Sequence, residues 1–288
     1  MAVATTTTTG ARPVRAGRRL PLAWVGTVPF LGYVAIFLLL PTAIVVWNAI
    51  RNPTHGGLDL AGLKLLGSSA VRSYFTGSVE LAAITAVAGA LLGSVLAYAV
   101  ATGNPDGVVR RVYLAGSGVL AQFGGVTLAF AFLAAVGPTS GFLTHLSWYY
   151  DFPQGIGLIY IYFQIPLMVL VFLPAIDGLK AQWREATENL GGSTWQYWRY
   201  VGMPLLAPAF TSATLLLFAN ALSAYATIQA WENQIAYTVP QQIYISINSE
   251  VGLASNEGDI LALGMVVLVA IVMTCYALLQ RRAARWLR

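Results

Sequence analysis

Six long apolar runs occupy most of the chain and limit the folds that it can adopt. They lie near residues 22–50, 76–102, 112–136, 155–177, 206–230 and 259–280. A helix of about 20 residues crosses the roughly 30 Å of hydrocarbon in a bilayer, so each run is long enough to span one. Backbone groups in lipid must find their partners inside the chain, and helices meet that condition. We therefore expect an all-α integral membrane protein with six transmembrane helices.

The composition agrees with a membrane protein. Hydrophobic residues make up 57% of the chain and charged residues only 9%, against about 25% charged residues in soluble domains. The net charge of +5 does not indicate nucleic acid as a partner, because the basic residues are spread over separate segments. Membrane lipid is the partner that we expect for the apolar surface.

The distribution of Lys and Arg predicts the orientation of the helices, because positively charged loops stay in the cytoplasm. Residues 1–20 contain a threonine run and four arginines, which predicts a disordered basic tail, and the run at 22–50 is expected to be an uncleaved first span. Six spans then place both termini in the cytoplasm. Thirteen of the 16 basic residues fall inside, and the three outside are Arg51, Lys64 and Arg72.

The predicted outer loops contain most of the acidic residues. These are Asp59, Asp151, Glu232, Glu250, Glu257 and Asp259. An acidic outer face could attract a cationic solute or a docking partner. Alternatively, acids fall outside only because basic residues are retained inside.

Residues for covalent chemistry are not grouped in any pattern that predicts catalysis. No G-x-x-x-x-G-K-[ST] phosphate loop is present, so we do not expect the chain to hydrolyse ATP by that route. His55 and His145 have no cysteines or paired carboxylates at metal-ligand spacing, so no metal site is expected. We expect no catalytic residues and no cofactor on this chain, which excludes a membrane enzyme as the first interpretation.

Several polar side chains fall inside the apolar runs, where they are costly and often functional. The candidates for a solute path are Gln122, Gln164, Asn220, Ser223 and Tyr225. The alternative is that they form hydrogen bonds between helices, worth about 0.6 kcal/mol each. Gly89 and Gly93 are spaced four apart, which predicts a small-residue packing face with a structural role only.

Residues 185–204 form a polar island between the fourth and fifth runs. Its pattern predicts a helix, a double-glycine break at Gly191 and Gly192, and a second short helix. The first helix has an apolar stripe of Leu179, Trp183, Ala186 and Leu190. Ser193 and Gln196 fit a capping box for the second helix, and we expect that helix to end at Met203-Pro204. On these grounds alone an ordinary connecting loop is equally possible.

The spacing within this island resembles a known motif. Glu185-Ala186, then Gly191, then nine residues and Val201-x-Met203-Pro204 is similar to the EAA loop of binding-protein-dependent ABC importer permeases. Thr187 replaces the second alanine of that motif, and Val201 and Met203 replace Ile and Leu. The likeness extends over about residues 20–285 and includes Gln164-Ile-Pro166. In the third run, Gln122-Phe-Gly-Gly125 departs from the family, where many relatives begin with a proline-containing segment.

The resemblance implies a six-span permease domain over residues 21–285, with loop 178–205 as a coupling helix that docks on a separate ATP-hydrolysing subunit. The coupling residues that it implies are Glu185, Ala186, Glu188, Gly191, Gly192, Trp195 and Pro204. The implied location is the bacterial inner membrane. The implied partners are two ATP-binding cassette subunits carrying ATP and Mg, a second permease subunit of different sequence, and an extracytoplasmic solute-binding protein.

The segment Glu188-Asn-Leu-Gly191 resembles the polyamine, phosphonate, ferric-iron and thiamine branch more than the sugar branch. A polyamine or an aminoalkylphosphonate is therefore the first expectation for the solute. A sugar-type permease is the alternative, and a secondary transporter or channel is a further one.

Overall fold

A computed structural model describes residues 23–51, 57, 61–104, 106–136, 154–231, 238–248 and 256–286 of the chain. Every element in these ranges is a helix. The predicted basic tail, both histidines and four of the predicted outer acids lie outside the described residues. Those acids are Asp59, Asp151, Glu232 and Glu250.

The chain divides into two compact units, Met1–Ile44 and Val45–Arg288. The first contains α1 (Ala23–Val34), a π-helical turn (Ala35–Leu39) and the start of α2 (Leu40–Ile50). The widened turn ends two residues before Pro41, which has no N–H to donate to a regular helix. Phe30 and Phe37 are 66% and 65% exposed. A helix that is apolar on every side is typical of a membrane span.

The second unit contains both long and short helices. Its elements are a 3₁₀ helix (Ala61–Gly67), α3 (Ser69–Ala101), α4 (Val108–Gln122), α5 (Val126–Val136), α6 (Gln154–Asp177), α7 (Ala181–Asn189), α8 (Thr194–Tyr197), a π-helical turn (Trp198–Gly202), α9 (Met203–Ser223), α10 (Tyr225–Ala230), α11 (Val239–Asn248) and α12 (Glu257–Trp286). Within the described ranges of both units, five helical stretches are long and apolar enough to span a membrane, or six if the bent pair α4 and α5 counts as one.

Helices α3 and α6 cross closely at the centre of the second unit. A Cβ atom on Gly93 would lie 2.5 Å from the Met168 Cβ and 2.8 Å from the Ile165 carbonyl oxygen, and one on Gly89 would lie 2.8 Å from the Gln164 Oε1. The packing face predicted for the two glycines is therefore confirmed. Four fully buried alanines extend the same face of α3, namely Ala82, Ala86, Ala90 and Ala97. Small residues let membrane helices approach until their backbones are in contact.

The third predicted span, 112–136, is not one straight helix. Helices α4 and α5 are bent by 96° at residues 123–125. Gly125 has φ +70°, a left-handed conformation that side chains other than glycine disfavour. The break coincides with the sequence Gln122-Phe-Gly-Gly125 that departs from the family pattern.

The fifth predicted span, 206–230, is also interrupted, at Ala224 between α9 and α10. The Tyr160 hydroxyl on α6 donates a hydrogen bond to the Ala224 carbonyl oxygen. A helix break inside a membrane leaves backbone groups without intrahelical partners, and a neighbouring helix must satisfy them. Tyr160 has that role here.

We expect Gly93→Ala to lower the thermal stability of the purified protein in detergent. The added methyl group meets the fixed carbonyl of Ile165, and overpacking of this kind costs roughly 1–3 kcal/mol. Gly116→Ala is the matched control, because a Cβ at Gly116 has nothing within 4 Å. An equal melting temperature for the two variants would contradict the close crossing of α3 and α6.

Candidate functional site

The turn after α7 has the backbone geometry that its two glycines permit. The Gly191 N–H donates to the Glu188 carbonyl and the Gly192 N–H to the Thr187 carbonyl, each at 2.9 Å, a pairing typical of the Schellman motif. Gly191 has φ +77°. A Cβ on Gly192 would lie 2.7 Å from the Thr187 Cγ2. Glycine is thus needed at 191 because the backbone there is left-handed. It is needed at 192 because a side chain would collide with Thr187.

Helix α8 begins with the predicted capping box. The Gln196 N–H donates to the Ser193 Oγ at 3.3 Å, and the Ser193 N–H donates to the Gln196 Oε1 at 2.7 Å. Both bonds satisfy donors that the first turn of a helix leaves open. The prediction of a capped second helix after the glycines is confirmed.

The predicted end of that helix at Met203-Pro204 is wrong. Residues Thr194–Ser223 form one helical stretch that runs from α8 through the π-helical turn into α9. Pro204 lies at the start of α9. Proline has no N–H to donate, and it is tolerated here because the widened turn directly before it already interrupts the regular hydrogen bonding of the helix. Gly202 makes the turn possible, since a Cβ there would lie 2.7 Å from the Trp198 ring. The polar island is therefore joined to the fifth span by continuous helix.

One side of the island packs on the helix bundle through aromatic rings, and the other side exposes large apolar side chains to solvent. On the inner side, Tyr197 is 4% exposed, and the Trp198 ring contacts the Tyr98 ring of α3 edge to face at 5.3 Å. On the outer side, Leu190 is 89% exposed and Trp195 is 65% exposed. Large exposed apolar side chains on a rigid turn are typical of a surface that a partner covers.

The charged residues of α7 remain at the surface. Glu185 and Glu188 are exposed. The Arg184 Nε donates to the Glu188 Oε1 at 2.9 Å, and this hydrogen bond, followed by the charge of Glu188, raises the pKa of the Arg184 guanidinium. Ala186 is also exposed, so α7 presents both a small residue and two acids to solvent.

The apolar stripe predicted for α7 does not extend to Leu190. This residue is the C-cap of α7 and is 89% exposed, whereas Trp183 is half-buried. A large aliphatic residue directly before a double glycine is the sequence signal for this position, because the helix and its apolar stripe end there.

A second group of candidate residues lies where the two broken helices meet. A Cβ on Gly125 would lie 3.4 Å from the Cβ of Ala226 in α10, and one on Gly124 would lie 3.6 Å from the Phe163 ring of α6. The breaks at 123–125 and at Ala224 are therefore neighbours in space. We call this place the break junction.

Four of the five predicted path residues flank the breaks. Gln122 is exposed at the end of α4, and Ser223, whose Oγ donates to the Asn220 carbonyl at 3.0 Å, is exposed at the end of α9. The Tyr225 hydroxyl donates to the Gln229 Oε1 at 2.8 Å. The Tyr225 ring also lies 5.3 Å from the Tyr244 ring of α11, a neighbour that the sequence did not indicate.

Gln164 lies elsewhere. It is fully buried in the contact between α3 and α6, where its Nε2 donates to the Thr85 Oγ1 at 3.1 Å. This placement favours the alternative of a hydrogen bond between helices. Its Oε1 has no hydrogen-bond partner among the described residues.

A family model described as a binding-protein-dependent transport system inner membrane component matches residues 89–288. The chain belongs to this family. The matched range includes the double-glycine turn and both helix breaks, and it confirms the resemblance to ABC importer permeases. The permease is thus a transport component of the membrane.

Relatives with assigned names agree with the family. The permease is 23% identical over 219 residues to the probable starch degradation products transport system permease protein AmyD of Thermoanaerobacterium thermosulfurigenes, covering 70% of this chain and 73% of that protein. It is 29% identical over 83 residues to the sulfate transport system permease protein CysT of Escherichia coli K12. The CysT match spans only 30% of the length of that relative.

Solved structures share the fold of the permease. A chain of a bacterial ABC transporter involved in the import of the acidic polysaccharide alginate matches with a TM-score of 0.69 at 16% identity, covering 92% of this chain and 95% of that one. The same kind of transporter, in complex with a periplasmic protein bound to an alginate pentasaccharide, matches with a TM-score of 0.62 at 17% identity, covering 92% and 94%. The expected all-α membrane fold is confirmed.

We expect Gly191→Val to loosen the turn between α7 and α8. A β-branched residue in the left-handed region costs roughly 1–2 kcal/mol, so amide hydrogen exchange in residues 188–197 should be faster. Leu190→Ala is the control, because it truncates a side chain that is 89% exposed and leaves the backbone unchanged. Equal exchange in the two variants would show that the turn does not depend on glycine.

Proposed function

We propose that the permease forms part of the membrane path of an ATP-driven importer and that loop 178–205 docks on a separate ATP-hydrolysing subunit. The observation that carries the proposal is the exposure of Leu190 and Trp195 on two short helices held by a Schellman turn and a capping box. A surface that is both apolar and rigid can bind a partner and move with it.

The continuous helix Thr194–Ser223 supports a direct route from the loop to the solute path. At 1.5 Å per residue, its 30 residues extend roughly 45 Å. Displacement of the docked loop therefore moves the fifth span as a rod, together with the break at Ala224. The proposed consequence is a switch of the break junction between outward-facing and inward-facing states.

The family and the charge distribution support our proposal for the rest of the assembly. The excess of Lys and Arg at loop 178–205 and at both termini supports a cytoplasmic location for these segments, with the spans in a bacterial inner membrane. Two ATP-binding cassette subunits would carry ATP and Mg, and a second permease of different sequence would complete the path. An extracytoplasmic binding protein would deliver the solute.

For the solute we propose a carbohydrate in place of the polyamine that the loop sequence suggests. Helices α4, α5, α9 and α10, which form the two broken spans, contain neither Asp nor Glu, whereas a polyamine would need carboxylates. The break junction instead offers amides, hydroxyls and the adjacent rings of Tyr225 and Tyr244. Tyrosine combines an apolar face with a polar edge, which suits the C–H face and hydroxyl groups of a sugar. The names of the starch and alginate transporters support the same class.

We expect Trp195→Ala to weaken association with the ATPase subunit at least about 30-fold, since truncation of a buried aromatic anchor typically costs 2 kcal/mol or more. Co-purification of the two subunits at graded concentrations measures the effect. Leu278→Ala, which truncates an exposed apolar residue of α12, should leave association unchanged. Retained association of Trp195→Ala would exclude the loop as the docking surface.

We expect Tyr225→Phe to lower solute uptake by up to about tenfold through loss of the hydroxyl bond to Gln229. Tyr225→Ala should lower it further, because it also removes the ring that contacts Tyr244. Uptake by the reconstituted importer is measured with radiolabelled solute, and Tyr33→Phe in the first unit is the control. If both Tyr225 variants transport at the wild-type rate, the break junction is not part of the path.

The solute class is tested with the same proteoliposomes and the cognate binding protein. We expect ATP-dependent accumulation of an oligosaccharide from a panel of starch and alginate fragments, and none of spermidine, an aminoalkylphosphonate or sulfate. Accumulation of spermidine would reverse the assignment and restore the polyamine class.

A further inference from the structure

A cleft of about 720 Å³ opens at one end of the helix bundle. It lies between the C-terminal ends of α3, α6 and α8 and the first residues of α4 and α7. Its charged lining comes from Arg110, Lys180 and Arg184 and from the carboxylate of Asp177, and its aromatic lining includes Tyr98 and Trp198. Neither Leu190 nor Trp195, the proposed docking residues, lines it.

The cleft has a net positive charge, because three basic side chains and one carboxylate line it. Arg110 forms an ion pair with that carboxylate, Asp177, which joins the start of α4 to the end of α6. Arg184 is paired with Glu188. Lys180 has no carboxylate within ion-pair distance among the described residues, and its ammonium lies 6.0 Å from the centre of the Trp183 ring. One cation therefore remains available to an anionic ligand, beside two arginines that each keep further N–H donors.

The walls between these charges are apolar and aromatic. Ala101, Ile176 and Leu179 line the cleft, and the Tyr98 ring contacts the Trp198 ring edge to face at its side. Basic residues next to Trp and Tyr at the ends of membrane helices lie at the level of lipid headgroups. Basic pockets between such helices bind anionic headgroups on the cytoplasmic side.

We propose that this cleft binds the phosphate of an anionic phospholipid from the cytoplasmic leaflet. Lys180 and Arg184 contact the phosphate oxygens, and Ala101 and Ile176 contact the glycerol and the first carbons of the acyl chains. The lipid then bridges the end of α3 and the start of α7, so that it holds the polar island against the bundle. This role goes beyond the proposed transport function and does not depend on the identity of the solute.

The lipid is favoured over a protein partner because of the position of the cleft. Its lining includes the last turns of two membrane spans, Ser69–Ala101 and Gly155–Asp177. A subunit that docks on Leu190 and Trp195 occupies a different surface. A soluble phosphate compound shares the chemistry of the headgroup, and the experiment must distinguish the two sources.

The test uses the assembled importer in nanodiscs of phosphatidylcholine that contain a minor fraction of phosphatidylglycerol. Native mass spectrometry measures the phosphatidylglycerol retained by the complex. We expect Lys180→Gln to lower its apparent affinity about fivefold, the effect of one basic residue near an anionic surface. Lys180 precedes α7, and its side chain makes no capping hydrogen bond, so the substitution leaves the helix intact.

Arg199→Gln is the matched control, since Arg199 is an exposed cation of the same island and does not line the cleft. It should retain phosphatidylglycerol as the wild type does. Equal retention by the two variants would overturn the proposal. So would displacement of the lipid by excess inorganic phosphate, which would identify a soluble phosphate site. Loss of the ATPase subunit from Lys180→Gln would assign the cleft to a protein interface and overturn it as well.

Discussion

The close crossing of α3 and α6 is the contact on which the rest of the second unit depends. It brings Gly93 against the backbone of Ile165 and leaves no room for a side chain between the helices. Lipid covers apolar surface as effectively as another helix does. Close packing, and not the hydrophobic effect, must therefore hold a membrane bundle together. The same crossing fixes the face of α6 that carries Tyr160 and Phe163, and those two residues meet the breaks in the neighbouring spans.

The broken spans connect the fold to its function. An interrupted helix is tolerated in a membrane only where protein satisfies its backbone or where it lines a cavity, and the first condition is met at Ala224, whose carbonyl accepts a hydrogen bond from Tyr160. Discontinuous helices also form the solute sites of other transporter folds, because their ends offer polar groups at membrane depth. The helix Thr194–Ser223 joins this junction to the polar island. The proposed docking site for the ATPase subunit and the proposed solute path therefore share one rigid helix.

Local chemistry made part of the structure predictable from the sequence. Long apolar runs indicated the spans, the Ser193 and Gln196 pattern gave the capping box, and the double glycine gave the left-handed turn, because each depends on residues close together in the chain. The bend at Ala224 could not be predicted in this way, since it depends on Tyr160, 64 residues away. The burial of Gln164 likewise depends on α3, and the continuity through Pro204 depends on a π-helical turn that has no clear sequence signal.

Docking of the polar island on an ATPase subunit is the central claim, and disulfide cross-linking tests it most directly. Cys275 is the only cysteine in the chain, so a Cys275→Ser background allows Leu190→Cys to report on one position. In the assembled importer we predict a cross-link between residue 190 and a cysteine introduced into the nucleotide-binding subunit, with a yield that changes when ATP binds. A cross-link that forms equally from Arg281→Cys on α12, or none from residue 190 in an importer that still transports, would contradict the account.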